Sequence, residues 1–457
     1  MFSIRDIIII AVLIPSVPIC FMRPVYGAAA WIVLSFISPQ FYACGFARQV
    51  PLALLIAIPT VLGFLVFSRN WKALLCRETA LLFALWLWFT LTTFNSAHVP
   101  AFADKTEAAW YRWGLVSKIL LMTLVIVGIL NTWNRLRWLV LAIAGSFGFL
   151  VVKSIPTMIL SDGASRVYGP NYSMISDNND FGLALNMVLP FFFFLAVLED
   201  GRWMKRGMAF VFVVTIPAII FTYSRGALLG LVAVLFLLIL RSRHRIPVIV
   251  ITLMVGIFAM VVVPQAWRDR MATTAPDALD ASARSRINVW KYCWNMTKDY
   301  PVMGGGFDAF TPSLFQKYAP DVQDIHGPHS IYFGVMAEHG FVGLALYLAL
   351  IASCFASLRG LAKTARAMDS PHIVAYSTMF SLSLVGFLTS GAFLGRAYFD
   401  FFFTIVGCIA VLRNLSYAEW AEKIEEREAA TDDADLPELS DPAPDFSAGR
   451  MHDGFAL

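Results

Sequence analysis

The segment DIHGPHSIYFGVMAEHGFVGLALYLAL, residues 324–350, decides the fold class. It begins as a polar loop in which His326 and His329 flank a Gly-Pro turn, and it then becomes an apolar run. Such a run is typical of a helix that enters a membrane, since a helix needs roughly 20 apolar residues to cross the bilayer. The segment therefore predicts a membrane helix with imidazoles at its mouth.

The composition of the whole chain agrees with this interpretation. Of its 457 residues, 58% are hydrophobic and 14% are charged, whereas a soluble domain has about 25% charged residues. The Lys and Arg residues lie mainly in short loops between apolar runs, as membrane topology predicts, so no nucleic-acid partner is expected. No two of the six cysteines have a CxxC spacing. The sequence therefore predicts neither a disulfide framework nor a zinc site.

The apolar runs predict an all-α polytopic membrane protein with about 12 transmembrane helices. Eleven of them lie near residues 51–67, 79–95, 114–131, 137–160, 181–198, 207–223, 227–240, 246–264, 340–358, 373–392 and 397–413. The first 50 residues add either one crossing or two, and prolines make both candidate helices irregular. The N-terminal topology is therefore left open.

Alternate connections between the runs are rich in Lys and Arg, and such loops belong in the cytoplasm. The basic residues are Arg69, Lys72, Arg77, Arg135, Arg137, Arg202, Lys205, Arg206, Arg241, Arg243, Arg245, Arg359, Lys363 and Arg366. The intervening connections are then expected outside, at 96–113, 161–180, 224–226, 265–339 and 393–396.

Four regions follow from this pattern. Residues 1–264 are N-terminal transmembrane helices, 265–339 a large helical periplasmic loop, 340–414 C-terminal transmembrane helices, and 415–457 an acidic, disordered cytoplasmic tail. The tail has 12 acidic and 3 basic residues. The loop is too long for a bare connection. Its stretch ARSRINVWKYCWNMTKDYPVMGGGFDAF, residues 283–310, predicts an amphipathic helix, a proline stop and a structural glycine turn at 304–306.

Arginines predicted on the outer side are the first candidate site residues. Arg225 lies between two apolar runs with almost no loop, where a charge is costly and tends to be functional, although it could snorkel to the headgroups. Arg286 precedes Trp290 by four residues, which puts both on one face of a helix. Arg166 and Arg396 also face outward, and a purely structural role suits each of them as well.

His329 has three possible roles. It could cap or pack a helix, it could bind a metal with His326 and nearby Asp324, Glu338 or His339, or it could act as a general base. The Gly-Pro between His326 and His329 makes a helical metal-ligand pair unsuitable, so no metal is expected. Fixed guanidinium groups match phosphate oxygens in two-pronged geometry, and a neutral imidazole can take the proton of a hydroxyl. This combination suits glycosyl transfer from a polyprenyl-pyrophosphate donor.

At these residues the chain resembles the bacterial O-antigen ligase and O-antigen polymerase superfamily. YSRGALLG, SRINVW and HGPHSIYFGVMAEHGFVG resemble three of its motifs, at Arg225, Arg286 and His329. RVYGPNYSMISDNNDFGLALNMVLP, which contains Arg166, resembles the O-glycosylation ligases associated with exosortase A systems. One departure is Ser330, where many members have Asn after the histidine.

The resemblance implies a metal-independent, inverting glycosyltransferase of the GT-C type in the bacterial inner membrane, without a cofactor, with its active site facing the periplasm. The implied donor is an undecaprenyl-pyrophosphate-linked glycan, and the implied acceptor is a lipid or protein hydroxyl. His329 would be the catalytic base. Arg225 and Arg286, with Arg166, would bind the substrate.

Two other functions remain open at this stage. An O-antigen or exopolysaccharide polymerase would use the same donor with a second lipid-linked repeat as acceptor. A lipid or glycan transporter is the alternative from another class, because Lys118 and Lys153 lie within apolar runs and could line a pathway, or else snorkel. No internal symmetry typical of transporters is visible in the sequence.

Overall fold

A computed structural model shows an α-helical protein without strands in its described residues. The structure describes residues 4–43, 45–67, 70–161, 165–241, 246, 249–250, 253–254, 281–320, 322 and 325–434. The predicted run 246–264 therefore falls mostly outside the described residues.

The α-helices are α1 Ile4–Met22, α2 Pro24–Ile37, α3 Leu52–Phe67, α4 Arg77–Ala97, α5 Thr106–Ile129, α6 Trp133–Leu160, α7 Asn178–Leu198, α8 Arg202–Ile220, α9 Arg225–Arg241, α10 Ala281–Asp299, α11 Pro312–Tyr318, α12 Ile331–Ala367, α13 Pro371–Gly391 and α14 Asp400–Ala434. Short 3-10 helices span Pro39–Tyr42, Phe46–Gln49, Trp71–Leu74 and Pro100–Lys105.

Within the described residues, nine helices are long and apolar enough to cross a membrane: α1, α4, α5, α6, α7, α8, α12, α13 and α14. Helices α2 and α3 are apolar but shorter. The all-α polytopic architecture is thus confirmed, but the predicted count of about 12 is not. The sequence pattern counted short runs as crossings, whereas α3 has 16 residues and α9 has 17. Such lengths fall below the roughly 20 residues that a straight crossing needs.

The first 50 residues form two antiparallel helices. Arg5, at the start of α1, donates to the carbonyl of Tyr42 at 2.8 Å, and Asp6 accepts the N–H of Ala47 at 3.1 Å. The start of α1 therefore lies beside the segment that follows α2. Because α2 has 14 residues, fewer than a straight crossing needs, the choice between one crossing and two in this region stays a prediction.

The connections sort onto two ends of the bundle as the charge pattern predicted. At one end the N–H of Val167 donates to the carbonyl of Phe221 at 2.9 Å, and Lys105 donates to the carbonyl of Phe307 at 2.6 Å. We call this the His329 end. At the other end, Arg77 donates to Ser357 Oγ at 3.0 Å, and we call this the Glu78 end.

Helices α7, α9 and α13 form the centre of the bundle. Buried Asn186 of α7 donates to the carbonyl of Ala227 at 2.7 Å and to Ser390 Oγ at 3.0 Å. A Cβ added at Gly230 would lie only 2.0 Å from Ser390 Oγ. Small residues of this kind let membrane helices approach closely. This packing fixes the start of α9, which carries Arg225.

The loop between the two groups of helices folds back onto the bundle through α10. This helix buries Val289, Tyr292, Cys293 and Met296 on one face, as the predicted amphipathic pattern requires. Tyr292 stacks on Phe315 of α11 with ring centroids 4.2 Å apart. The predicted helix, proline stop and glycine turn are confirmed in this segment.

The last helix extends beyond the membrane-like part of the chain. The chain divides into two compact units, Met1–Leu415 and Ser416–Leu457. Helix α14 continues to Ala434, so the first part of the acidic segment is helical rather than disordered. Residues 435–457 lie outside the described residues.

Candidate functional site

His329 lies directly before α12, whose N-cap is Ser330. Its backbone has a φ of 45°, in the left-handed region, which a non-glycine residue adopts only when the surroundings hold it there. Gly395 is one of those surroundings, because a Cβ on Gly395 would meet His329 Cα at 3.6 Å. The imidazole is half-buried at the mouth of the helix.

Helix α10 holds the loop that contains His329. Trp290 Nε1 donates to the carbonyl of Pro328 at 2.7 Å and the indole stacks on Phe333, with centroids 5.1 Å apart. One turn earlier, Ser285 Oγ lies 2.5 Å from His326 Nε2, and the His326 and His329 rings are 5.1 Å apart. Arg286, the next residue after Ser285, therefore lies next to this loop.

The electrostatic surroundings keep His329 neutral. The pKa of His329 is lowered to about 4, mainly by burial and also by the positive charges of Arg286 and His326, while Asp177 acts in the opposite direction. A histidine with such a pKa carries no charge at neutral pH. Its unprotonated nitrogen can then accept a proton. The structure thus brings Arg286 within electrostatic range of His329.

Arg166 lies close to the turn that precedes Arg225, in another part of the same end, because the N–H of Val167 donates to the carbonyl of Phe221 at 2.9 Å. Burial raises the pKa of Tyr223, and the positive charge of Arg166 opposes this shift. Tyr223 has a φ of 56° and lies two residues before Arg225, which begins α9. Asn178 donates to the carbonyl of Thr222 at 2.6 Å, which ties this turn to the start of α7. That all of Arg166, Arg225, Arg286 and His329 line one pocket stays a prediction.

Arg396 lies between the His329 loop and a cavity. It forms an ion pair with Asp180 of α7 at 2.5 Å, and its charge contributes to the lowered pKa of His329. The sequence pattern identified Arg396 as outward-facing but did not include it among the site residues. Asp180 is one of the acidic residues that follow Arg166 in the sequence. Its position before an apolar run was the sequence feature that could have indicated an ion-pair partner for Arg396.

Helix α12 is kinked at Gly340, and the glycine turn 304–306 packs into this kink. Gly340 has φ 69° and ψ −174°, a conformation essentially limited to glycine. The N–H groups of Gly305 and Gly306 donate to the carbonyls of Ala337 and Glu338 at 2.9 and 2.7 Å. The turn therefore satisfies carbonyls that the kink leaves without a helical partner, which supports its predicted structural role.

The kink also places two polar side chains in the interior. Glu338 accepts the N–H of Asp308 at 2.9 Å and the hydroxyl of Tyr398 at 2.6 Å. His339 Nδ1 lies 2.7 Å from Thr92 Oγ1. Both residues thus have packing roles, and within the described residues no group of three His, Cys, Asp or Glu is placed to hold a metal ion. Asp324 lies outside the described residues.

A cavity of about 520 Å³ adjoins the His329 loop. Its walls come from α2, α3, α5 and the segments 172–174 and 395–400. Most of the lining side chains are apolar, and the lining cations are Arg112, Lys118 and Arg396. Lys118 thus faces the cavity, whereas the Lys153 Nζ lies 4.0 Å from the centroid of the Tyr42 ring.

Comparison with protein families adds to this geometry. Residues 210–348 match the family model described as O-Antigen ligase. The match supports the O-antigen ligase superfamily. It contains Arg225, Arg286 and His329, and it supports a glycan-transferring, ligase-like role in a multi-pass membrane protein with a lipid-linked glycan donor and an acceptor.

The N-terminal part of the chain matches a second model. Residues 4–197 match a family of unknown function. No curated protein matches the chain. In this chain, the O-antigen ligase match covers the His329 loop, while the N-terminal match covers Arg166 and most of the cavity walls.

Proposed function

We propose that this protein is an O-antigen ligase-like glycosyltransferase that moves a glycan from undecaprenyl pyrophosphate to an acceptor hydroxyl on the periplasmic side of the bacterial inner membrane. The main support is that a neutral, half-buried His329 lies within electrostatic range of Arg286 inside the matched segment. A proton acceptor and a fixed cation at one site are what transfer from a pyrophosphate donor needs.

The reaction proceeds as one displacement at the anomeric carbon. The acceptor oxygen forms the new C–O bond while its proton passes to an imidazole nitrogen of His329. The bond between the anomeric carbon and the phosphate oxygen breaks, and the electron pair leaves with undecaprenyl pyrophosphate. Attack opposite the leaving group inverts the anomeric configuration.

Arg225 and Arg286 stabilise the leaving pyrophosphate. Its negative charge grows as the bond breaks, and a guanidinium group offers two parallel N–H donors to phosphate oxygens. Fixed donors of this kind act without reorganisation during the reaction. Arg166, which lies within electrostatic range of Tyr223, binds the sugar-phosphate part of the substrate. The residues supply both charge stabilisation and proton transfer, so we propose that no metal ion takes part.

Ligation is favoured over polymerisation by the description of the matched family. A ligase would transfer to a lipid A core or to a protein Ser or Thr, whereas a polymerase would transfer to a second lipid-linked repeat. The resemblance to the exosortase-associated branch at 166–190 supports a specialised acceptor in the same class of reaction.

The experiment uses the purified full-length protein with an undecaprenyl-pyrophosphate glycan and three acceptors: lipid A core, a Ser/Thr-containing protein and a second lipid-linked repeat. Transfer in the presence of EDTA is the expected result for the wild type. His329→Ala should abolish turnover yet keep donor binding, while Arg225→Ala and Arg286→Ala should also weaken donor binding.

His326→Ala is the matched control, because this imidazole is close to His329 but precedes it in the loop. It should keep most of the transfer rate. Wild-type rates in His329→Ala, or loss of activity on chelation, would contradict the proposed mechanism, and a product formed only with the second repeat would make the protein a polymerase.

A further inference from the structure

The cavity next to the His329 loop contains polar atoms that lack partners within the described part of the chain. Gln40 Oε1, Arg112 Nε and Arg396 Nε are buried without a hydrogen bond, and all three residues line the cavity. Leaving such a group unpaired costs about 1–3 kcal/mol, and buried polar groups in native proteins are generally paired. The two arginine nitrogens are donors and therefore point to a ligand with hydrogen-bond-accepting oxygens, whereas Gln40 Oε1 can only accept.

The charges that line the cavity favour an anion. Arg112, Lys118 and Arg396 are its cations, and Asp400 is its one lining carboxylate among the described residues. Asp400 is already used within the protein, because its Oδ1 accepts the N–H of Phe401 at 2.8 Å. Arg396 is neutralised in part by Asp180. A net positive charge remains for a ligand.

The remaining walls favour a hydrocarbon chain. Trp31, Leu34, Leu52, Ala57 and Leu115 are among the apolar residues that line the cavity, and they belong to α2, α3 and α5. Helices α2 and α3 have 14 and 16 residues, about 21 and 24 Å in length at 1.5 Å per residue. Both are shorter than the hydrocarbon core of roughly 30 Å. A lipid chain can therefore reach the cations near the ends of these helices.

The cavity is also adjacent to the proposed reaction centre. Gly395 and Arg396 line it, and Gly395 lies against the backbone of His329. A phosphate-bearing lipid with its headgroup at Arg396 would thus lie next to the loop that contains His329. This proximity favours the prenyl carrier of the donor over a bulk phospholipid as the occupant.

We infer that the cavity binds the lipid-side phosphate and the first prenyl units of the carrier, with Arg112 and Arg396 as phosphate ligands. This inference rests on the proposed function, in which Arg225 and Arg286 stabilise the leaving pyrophosphate and Arg166 binds the sugar-phosphate part. It also assigns a role to the segment 4–197, which supplies Gln40, Arg112 and Lys118: carrier binding rather than group transfer.

The test measures binding of glycan-free undecaprenyl pyrophosphate to the full-length protein in phosphatidylcholine nanodiscs by native mass spectrometry. Arg112→Gln should weaken binding about 10- to 100-fold, the effect of losing a charge-assisted hydrogen bond. Arg112→Lys should restore part of it. In steady-state transfer, Arg112→Gln should raise KM for the donor more than it lowers kcat.

Two controls and a second test variant accompany Arg112→Gln. Arg135→Gln removes an arginine at the Glu78 end, where Arg135 donates to Asn131 Oδ1 at 2.6 Å, and should bind the carrier like the wild type. His329→Ala should also bind it normally. Ala57→Phe fills the apolar wall without a change in charge and should weaken binding too, which keeps the test decisive if Arg112→Gln fails to fold.

Equal binding by the wild type, Arg112→Gln and Ala57→Phe would overturn the inference while leaving the transferase intact. Displacement of the carrier by equimolar phosphatidylglycerol would also overturn it, because the cavity would then be a general phospholipid site. Conversely, Arg112-dependent carrier binding without transfer to any acceptor would contradict the proposed function alone.

Discussion

The two ends of the helical bundle use buried charge in different ways. At the Glu78 end, the buried carboxylate of Glu78 accepts from Ser353 and Ser357 at 3.0 and 2.6 Å and pairs with Arg413 at 3.4 Å. At the His329 end, Arg112 and Arg396 each have a buried Nε without a partner within the described residues. A structural network is thus satisfied internally, whereas the candidate site keeps donors that a ligand can use.

Strained backbone conformations are also distributed unevenly between the two ends of the bundle. Six described residues other than glycine have a positive φ, and five of them, Ser38, Tyr172, Tyr223, Asp308 and His329, lie at the His329 end. Strained residues of this kind persist where the surrounding structure holds them, and they cluster at functional sites. The difference teaches that the strained backbone is concentrated at the His329 end, next to the candidate site, while the buried charge at the Glu78 end is paired within the protein.

The largest expected effect is on stability, at the Glu78 end. Glu78→Ala removes a buried carboxylate that accepts two serine hydroxyls and pairs with Arg413, and removing one partner of a buried ion pair costs about 3–5 kcal/mol. We expect a lower thermal unfolding midpoint in detergent, with the transfer rate per folded molecule unchanged. A loss of transfer in the folded fraction would break the division between the two ends.

The second effect is on rate, at the His329 end. Arg286→Ala should lower kcat about 100- to 1,000-fold, as does removal of a single donor to a developing negative charge. The thermal unfolding midpoint should stay close to that of the wild type, since the side chain of Arg286 is only partly buried. Steady-state kinetics and a melting curve on the same preparation check both points.

A third, smaller effect concerns the kink of α12. Gly340→Ala should destabilise the protein by about 1–3 kcal/mol, because the conformation of Gly340 is essentially limited to glycine and an added Cβ would lie 2.1 Å from the carbonyl of Val302. Gly360→Ala in the same helix is the matched control. Nothing lies within 4 Å of its added Cβ, so it should be neutral or stabilise by about 1 kcal/mol. Equal melting temperatures would contradict the role of the kink.

The smallest effect is a shift in pH dependence. The pKa of His329 is lowered to about 4, so the neutral base is present at pH 7 and is lost only as the pH falls through that value. We expect kcat/KM to stay flat down to about pH 5 and then to decrease. Arg286→Ala removes a charge that lowers this pKa and should move the acid limb upward. An acid limb near the ordinary histidine value of about 6.5 would contradict the assigned environment.

Some features of the candidate site could be predicted from short stretches of the sequence. The spacing of Arg286 and Trp290 placed them on one face of α10, and the structure brings that face to the His329 loop through the bond from Trp290 to Pro328. The glycine turn was also predicted, but its partner was not. The carbonyls of Ala337 and Glu338 that it satisfies belong to a kink in another helix, and no local pattern indicates that pairing.

The sequence alone determined the membrane environment, the helical class, the sorting of connections to two ends and the identity of the candidate arginines and histidine. These properties depend on hydropathy, charge and residue type, which are local. Only the tertiary structure decided the kink at Gly340, the ion pair between Asp180 and Arg396 and the cavity lined by Arg112. Those features arise from contacts between residues far apart in the chain, where packing rather than periodicity selects the partners.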